Sequence, residues 1–153
     1  DDTFLNRFAS IAQFSPVLPL IGGGKQKFSP IYVGDVAKAI VKSLELDNSE
    51  PKIYELGGPE NYSFKELMKI LLDEIKKKRF LMPIPFAAAK FQAFFLQMIP
   101  NPLLTVDQVK LLQYNNIVSG DYPVLKDLGI TATSLQTILP KYIYRFRTGG
   151  QFG

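Results

Sequence analysis

Three glycines and a lysine, in "IGGGKQKFSPIYVGDVAKAI" (Ile21–Ile40), have the composition of a phosphate cradle. Such a loop needs a strand before it and, after it, a helix whose first backbone N–H groups point at the anion. Here the glycines are followed by "KQKFSPIYV", which alternates, ends in β-branched and aromatic residues, and reads as a strand. Helical spacing begins only after Asp35. The Walker order G-x-x-x-x-G-K-[ST] also fails, because Lys25 is followed by Gln26. Gly22–Gly24 therefore predicts a turn inside a hairpin-like pair, "VLPLI" with "FSPIYV", where residues without Cβ take φ > 0. The chain has no cysteine and no histidine. That excludes disulfides, cysteine nucleophiles, a Ser-His-Asp triad and most zinc sites, so no catalytic residue and no metal ligand is assigned. Asp35 reads as a helix N-cap in preference to a general base. Tyr32 either presents its hydroxyl to a crevice or is a half-buried strand tyrosine.

The elements that must position these residues follow from periodicity. A helix over Thr3–Phe14 places Phe4, Leu5, Phe8, Ile11 and Ala12 on one face and stops before Pro16. A second helix runs from Asp35 to about Leu46, with Val36, Ile40 and Leu44 on one face. "PKIYELGG" predicts a short strand closing on Gly57 and Gly58. Ser63 with Glu66 forms a capping box that opens "SFKELMKILLDEIKKK", with Phe64, Leu67, Leu71 and Ile75 inward and Tyr62 able to staple onto Leu67. The basic end, Lys76–Arg79, reads as a solvated helix terminus, with contact to an anionic partner as the other option. "FLMPIP" predicts a strand, and Pro85 opens a helix over Pro85–Met98 that is apolar nearly all round. That helix is too short to span a bilayer, which takes about 20 apolar residues, and is expected to be buried against other helices, or else to dock on a partner or membrane surface. Thr105 with Gln108 and Thr133 with Gln136 predict two more capping boxes, opening helices over Val106–Tyr114 and Ser134–Phe146, the second disturbed by Pro140. The tail "RTGGQFG" is expected to fray.

The 153 residues suit a single domain, and with 46% of them apolar the chain can support a core. The charge excess of 18 − 14 = 4 is too small to indicate nucleic-acid binding. The opening "DDTFLNRFASIAQF" has no initiator methionine and no charged-then-apolar leader, so the reading expects a piece of a longer protein with no signal peptide.

The ordered set of segments resembles the C-terminal, substrate-side half of the NAD-dependent epimerase/dehydratase family, the extended and atypical short-chain dehydrogenase/reductases. "GGGKQKFSPIYVGDVAKAI" is similar to that family's G-D-G-x-Q-x-R-D-[FY]-[IV]-[YH]-V-x-D-[VL]-A segment, with Gly22, Gly24, Gln26, Ile31, Tyr32, Val33, Asp35, Val36 and Ala37 on matching positions. "IYELGGPENYSFKELMKIL" resembles its strand, glycine and T-x-x-E-L helix, with Ser63 for the threonine. "LKDLGITATSLQTIL" resembles its closing helix. Where sugar-nucleotide members carry a phosphate-binding arginine, this chain has Phe28. An apolar ring cannot take that anion, so a nucleotide-sugar substrate is disfavoured unless Lys25 or Lys27 substitutes. "SPVLPLIGGGKQKFSPIYVGDVAKAI", "YELGGPENYSFKEL", "LTVDQVKLL" and "GGQF" look most like the atypical branch. That branch includes the nucleotide-binding-fold accessory subunit of respiratory complex I (NADH:ubiquinone oxidoreductase) and its bacterial relatives.

The resemblance implies an α/β parent of which this chain is the α+β, mostly helical substrate-side portion with a few short strands, with residues 1–147 as domain and 148–153 as flexible tail. The family's glycine-rich cofactor fingerprint and catalytic Tyr-x-x-x-Lys pair belong to the N-terminal half; the fingerprint does not occur here, and the one Tyr-x-x-x-Lys spacing, Tyr122 with Lys126, falls in the C-terminal stretch of this chain. The implied cofactor, NAD(P), would thus bind the missing Rossmann half, and this chain alone would bind none and catalyse nothing. It would form one wall of the ligand crevice, with Asn6, Lys25, Gln26, Lys27 and Tyr32 as the groups placed to meet a ligand. For Asn6 and Gln26, ordinary turn or capping hydrogen bonds are the alternative. The implied partners are the missing half and complex I or another protein subunit, with a cytoplasmic location or one peripheral at the inner membrane. The competing reading is a stand-alone helical interaction module without cofactor.

Overall fold

The computed structural model describes residues 3–46, 52–96, 98, 105–147 and 149. Helix α1 (Thr3–Phe14) packs Leu5, Phe8, Ala9 and Ala12 inward, with Phe4 and Ile11 flanking them. Its stripe meets helix α3 (Phe64–Glu74) in an aromatic cluster centred on fully buried Phe64. The Phe64 ring centroid lies 5.7 Å from Phe4 and 5.4 Å from Phe8. Phe28 joins the edge of this cluster, 6.4 Å from Phe4, so the ring in the arginine position is part of the packing.

Strand β1 (Val17–Ile21) pairs in parallel with β4 (Phe80–Ile84), Val17 opposite Phe80 and Ile21 opposite Ile84. The expected hairpin of "VLPLI" with "FSPIYV" is therefore corrected. Gly22, Gly23 and Gly24, all at positive φ (64°, 72° and 68°), form a tight 3-10 turn that carries the chain away from β1. A Cβ on Gly22 would sit 2.2 Å from the Phe86 ring, so the turn depends on glycine for space as well as for φ. Strand β2 (Lys27–Phe28) instead pairs antiparallel with β3 (Tyr62–Ser63), and the Asn116 N–H donates to the Lys27 carbonyl at 2.8 Å. The Phe80 N–H donates to the Pro16 carbonyl. Parallel geometry then directs the backbone groups of Leu18 and Leu20 to β4 and turns Pro19 outward. Proline at a free edge leaves no N–H for a further strand to use.

The capping boxes at Ser63/Glu66 and Thr105/Gln108 form as expected and open α3 and α5 (Val106–Leu111). Both helices end earlier than their periodicity suggests. The chain leaves α3 through Ile75 and a positive φ at Lys76, and α5 stops at Leu112. The basic run has a structural task. The Arg79 guanidinium donates to the Ala12 carbonyl at 2.8 Å and Lys77 donates to Gln13, covering the C-terminal end of α1.

Three further expectations change. Helix α2 (Val33–Glu45) is preceded by Tyr32, with no side-chain cap, and Asp35 sits inside its first turn. Helix α6 (Leu135–Ile143), with Pro140 inside it, is capped by Ser134 accepting from the Thr137 N–H, so the Thr133/Gln136 box does not form. Residues 52–58 form no ladder: the Glu55 N–H bonds the Pro123 carbonyl, but no strand of the described residues lies alongside. The ladder that "KIYEL" is patterned for needs a neighbour that these residues lack.

Helix α4 (Phe86–Leu96) departs from the first of its two expectations, burial all round. Ala89 and Ala93 are buried in the main core, while Phe91, Phe94 and Phe95 face outward at 68%, 60% and 52% exposure. Small residues let the helix approach its own core closely, and the phenyl rings stack on one another outside, Phe91 and Phe95 at 4.9 Å. A second, smaller cluster of Ala39, Leu125, Leu128 and Ile130 holds α2, with Ile31, Tyr54 and Leu56 against it. The tail segment at 148 and 150–153 lies outside the described residues.

Candidate functional site

The first hollow, about 390 Å³, lies between residues 30–33, the start of α6 and Leu5 of α1. Its walls are aliphatic, including Ile31, Val33, Leu135 and Ile138, and its polar groups are the side chains of Tyr32, Tyr142, Thr133 and Ser134. No imidazole, thiol or free carboxylate faces it, so its chemistry is that of holding an apolar group with a few hydroxyls for orientation.

Asp35 fixes one rim. Its side chain is fully buried, and Oδ2 accepts the Thr133 N–H at 2.6 Å while Lys38 Nζ donates to Oδ1 at 3.1 Å. Burial pushes its pKa up, but the N–H and hydroxyl of Thr133 and the Lys38 ammonium outweigh that and hold the carboxyl below its usual value. An ionised acceptor with both oxygens engaged is a tie between α2 and the lead-in to α6, not a proton-transfer group. Reading Asp35 as a cap found the right chemistry, acceptance of a backbone N–H, but on the wrong partner. That partner lies 98 residues away and leaves no local signal.

Of the five crevice candidates, Tyr32 alone lines this hollow. Gln26 is buried and turned back on the chain: its side-chain Nε2 donates to the Ile21 carbonyl at 3.1 Å and its backbone carbonyl accepts the Phe64 N–H. It closes the triple-glycine turn. Lys25 and Lys27 are exposed. Asn6 follows Leu5 on α1, and its Oδ1 is buried with no hydrogen-bond partner among the described residues. The structure does not gather these five into one constellation. Tyr142, Thr133 and Ser134 were not singled out from the sequence, where they read as ordinary helix-opening and helix-face residues.

A second hollow of about 380 Å³ has Phe4 and Phe28 on one side and Leu111, Leu112, Asn115 and Asn116 on the other. Nearby, burial and then the Glu60 carboxylate push the Tyr62 hydroxyl's pKa up, while Gln136 donates to its oxygen at 2.9 Å. Among the described residues no group of three His, Cys, Asp or Glu side chains could hold a metal, and no helix is long and apolar enough to cross a membrane.

No family model matches the chain. It is 35% identical over 160 residues to NADH dehydrogenase [ubiquinone] 1 alpha subcomplex subunit 9, mitochondrial, of Arabidopsis thaliana, and 29% identical over 150 residues to the protein of that name in Mus musculus. These alignments take in 98% and 97% of this chain but 40% of each relative. Two solved structures of the Citrobacter sp. triphenylmethane reductase, one complexed with NADP(H), superpose with TM-scores of 0.69 and 0.68 at 20% and 21% identity. They cover 94% and 93% of this chain and 50% and 49% of the reductase, which identifies a shared fold. The resemblance read from the sequence thus holds: the chain's homologues are subunit 9 of the NADH dehydrogenase alpha subcomplex, and its fold neighbours are reductases of the Rossmann-like type.

Proposed function

We propose, from this homology to subunit 9 of NADH dehydrogenase, that the chain is the C-terminal, substrate-side portion of an atypical short-chain dehydrogenase/reductase-like protein that binds NAD(P) on its other half and serves as an accessory subunit of respiratory complex I. Residues 1–147 would form the domain and 148–153 its tail. The observation that carries this reading is the alignment of nearly the whole chain with 40% of a complex I subunit. The same portion of fold matches half of a reductase solved with NADP(H). The hollow beside Tyr32 and Tyr142 fits a crevice wall for an apolar group, and Phe28, packed at the edge of the aromatic cluster, offers no cation at the position where an arginine would hold a diphosphate. Asn6 is the candidate whose side-chain oxygen is buried without a hydrogen-bond partner among the described residues, which suits it to meet a ligand or the other half. The outward phenylalanines of α4 suit docking on a neighbouring subunit, with the protein peripheral to the membrane. NAD(P) itself would supply hydride chemistry or a structural anchor. The test is calorimetry with NADH and NADPH: the full-length protein should co-purify with dinucleotide, and this chain alone should give no saturable heat. Micromolar binding by the isolated chain would refute the division of labour.

A further inference from the structure

The two-stranded sheet β1–β4 buries one face and leaves the other partly open. Leu18 and Leu20 point into the main core, and strand alternation with the register Val17–Phe80, Pro19–Met82, Ile21–Ile84 puts those six side chains together on the opposite face. Over that face lies a third hollow, of about 310 Å³. Phe8 and Ile11 of α1 form one wall and Ala89 and Gln92 of α4 the other, the small Ala89 leaving the space. Among the described residues the lining offers almost no hydrogen bonds. The hydroxyl of Ser15, at one end, is spent on Val17, donating to its carbonyl at 2.7 Å and accepting its N–H at 3.2 Å, which leaves the Gln92 amide. Both sheet edges are also closed, because Pro19 and Pro83 fall at outward-facing positions of their strands. A peptide strand laid here would leave its backbone N–H and C=O groups unmet, a cost that an alkyl chain, having none, does not carry.

The Ser15 end of this hollow is also its basic end. Arg79 and Lys77 are bonded to the last turn of α1, at the Ala12 carbonyl and Gln13, and the Phe80 N–H to the Pro16 carbonyl, so residues 76–79 arrive beside Ser15. Lys76 and Lys78 are exposed, and among the described residues none of the four cations has an ion pair. Glu74, just before them, is taken by Arg147. Phe14 and Phe80, both largely exposed, stand at the same end. We propose that this groove binds a single-chain anionic amphiphile, a medium-chain fatty acid. Its alkyl chain lies over Val17, Pro19, Met82 and Ile84, and its carboxylate meets the lysines that precede β4. The floor from Val17 to Ile21 is about 13 Å long, the extended length of about ten carbons. This site goes beyond the accessory-subunit reading and does not depend on it, since every group named belongs to this chain.

Titration calorimetry of decanoate into the full-length protein, below the concentration at which decanoate forms micelles, tests this. Saturable binding of one chain per protein is expected. Met82→Asp, which sets a carboxylate on the apolar floor, should abolish it. Lys76→Glu with Lys78→Glu should weaken decanoate at least about fivefold at low salt, a difference that shrinks at high salt, and leave 1-decanol within about twofold. All three positions are exposed, so the melting temperature should hold within about 3 °C. A decanoate analogue with a diazirine at its chain end should label groove residues of α1, β4 or α4 in the unaltered protein, a readout that needs no variant. No saturable binding of decanoate, or label confined to other segments, would overturn the groove. Binding that ignores the lysine pair would overturn the anionic head. Flotation with anionic vesicles in the absence of decanoate binding would also overturn the proposal, making this face a bilayer contact instead.

Discussion

Replacing Asp35 with alanine removes a fully buried carboxylate that joins α2 to the lead-in of α6. The lost Thr133 N–H bond is charge-assisted and leaves a half-buried donor without a partner, a loss of about 1.5–3 kcal/mol. The Lys38 pair adds little, about 0.3–0.5 kcal/mol, because the ammonium side chain is 63% exposed. A negative charge in the first turn of α2 contributes a further ~0.3–1 kcal/mol through the helix dipole. These terms overlap, so the expected destabilisation is about 3 kcal/mol, or about 6–12 °C in Tm for a chain of this size. Asp35→Asn keeps an acceptor of similar shape and should lose about half as much. The pH dependence discriminates further. The folded state holds this carboxyl below its ordinary value of 3.8, so the stability it adds is complete above that value and disappears as pH falls through the folded pKa. Urea unfolding by circular dichroism should therefore show the gap between wild type and Asp35→Asn unchanged from pH 7 to 5 and closing below 3.8. An alanine variant within about 0.5 kcal/mol of wild type at pH 7, or a gap that persists into acid, would refute the tie.

Gly22→Ala should destabilise by about 1–3 kcal/mol, because the new Cβ meets the Phe86 ring and φ is +64°. Pairing it with Phe86→Leu should recover the steric part and leave the backbone part, as read from the same urea midpoints. On α4, Phe91→Ser with Phe94→Ser should leave the chain's own stability within about 1 kcal/mol, since both rings face out. On the proposed function, the same pair should strongly reduce co-purification of the full-length protein with complex I, and normal co-purification would remove α4 as a docking surface.

Most local signals in this sequence were reliable, although the Thr133/Gln136 pattern gave way to a cap at Ser134, and non-local ones were not. The boxes at Ser63/Glu66 and Thr105/Gln108 are complete within four residues, and both formed. The stripe of α1 needed only its own 3.6-residue period. By contrast, β1 reads as a hairpin partner of the segment just after the glycines, because proximity is the strongest prior for pairing. Its actual partner, Phe80–Ile84, lies across two intervening helices and shares no local mark with it. Helix α4 misled for a different reason. A helix apolar all round does not declare which side is inside, and here backbone closeness through Ala89 and Ala93 decided it in favour of small residues. At the candidate site, Tyr32 was legible from its place before α2, but Thr133, Ser134 and Tyr142 reach the hollow only through the fold.

The two outward apolar faces differ in how far their helices depend on being covered. Helix α4 is anchored in the main core, which it shares with α1 and α3, while its aromatic side is exposed among the described residues. Helix α2 rests on a satellite cluster of four buried residues, so its outer aliphatic side chains, each worth about 1.5–3 kcal/mol when covered, rival everything holding it from within. A face whose covering stabilises the helix itself suits a permanent neighbour. A face on an already secure helix is free to meet a separate subunit, and its rings, stacked on one another rather than on the core, lose little packing when that subunit is absent. Physical dependence, more than apolarity as such, is what separates the two faces.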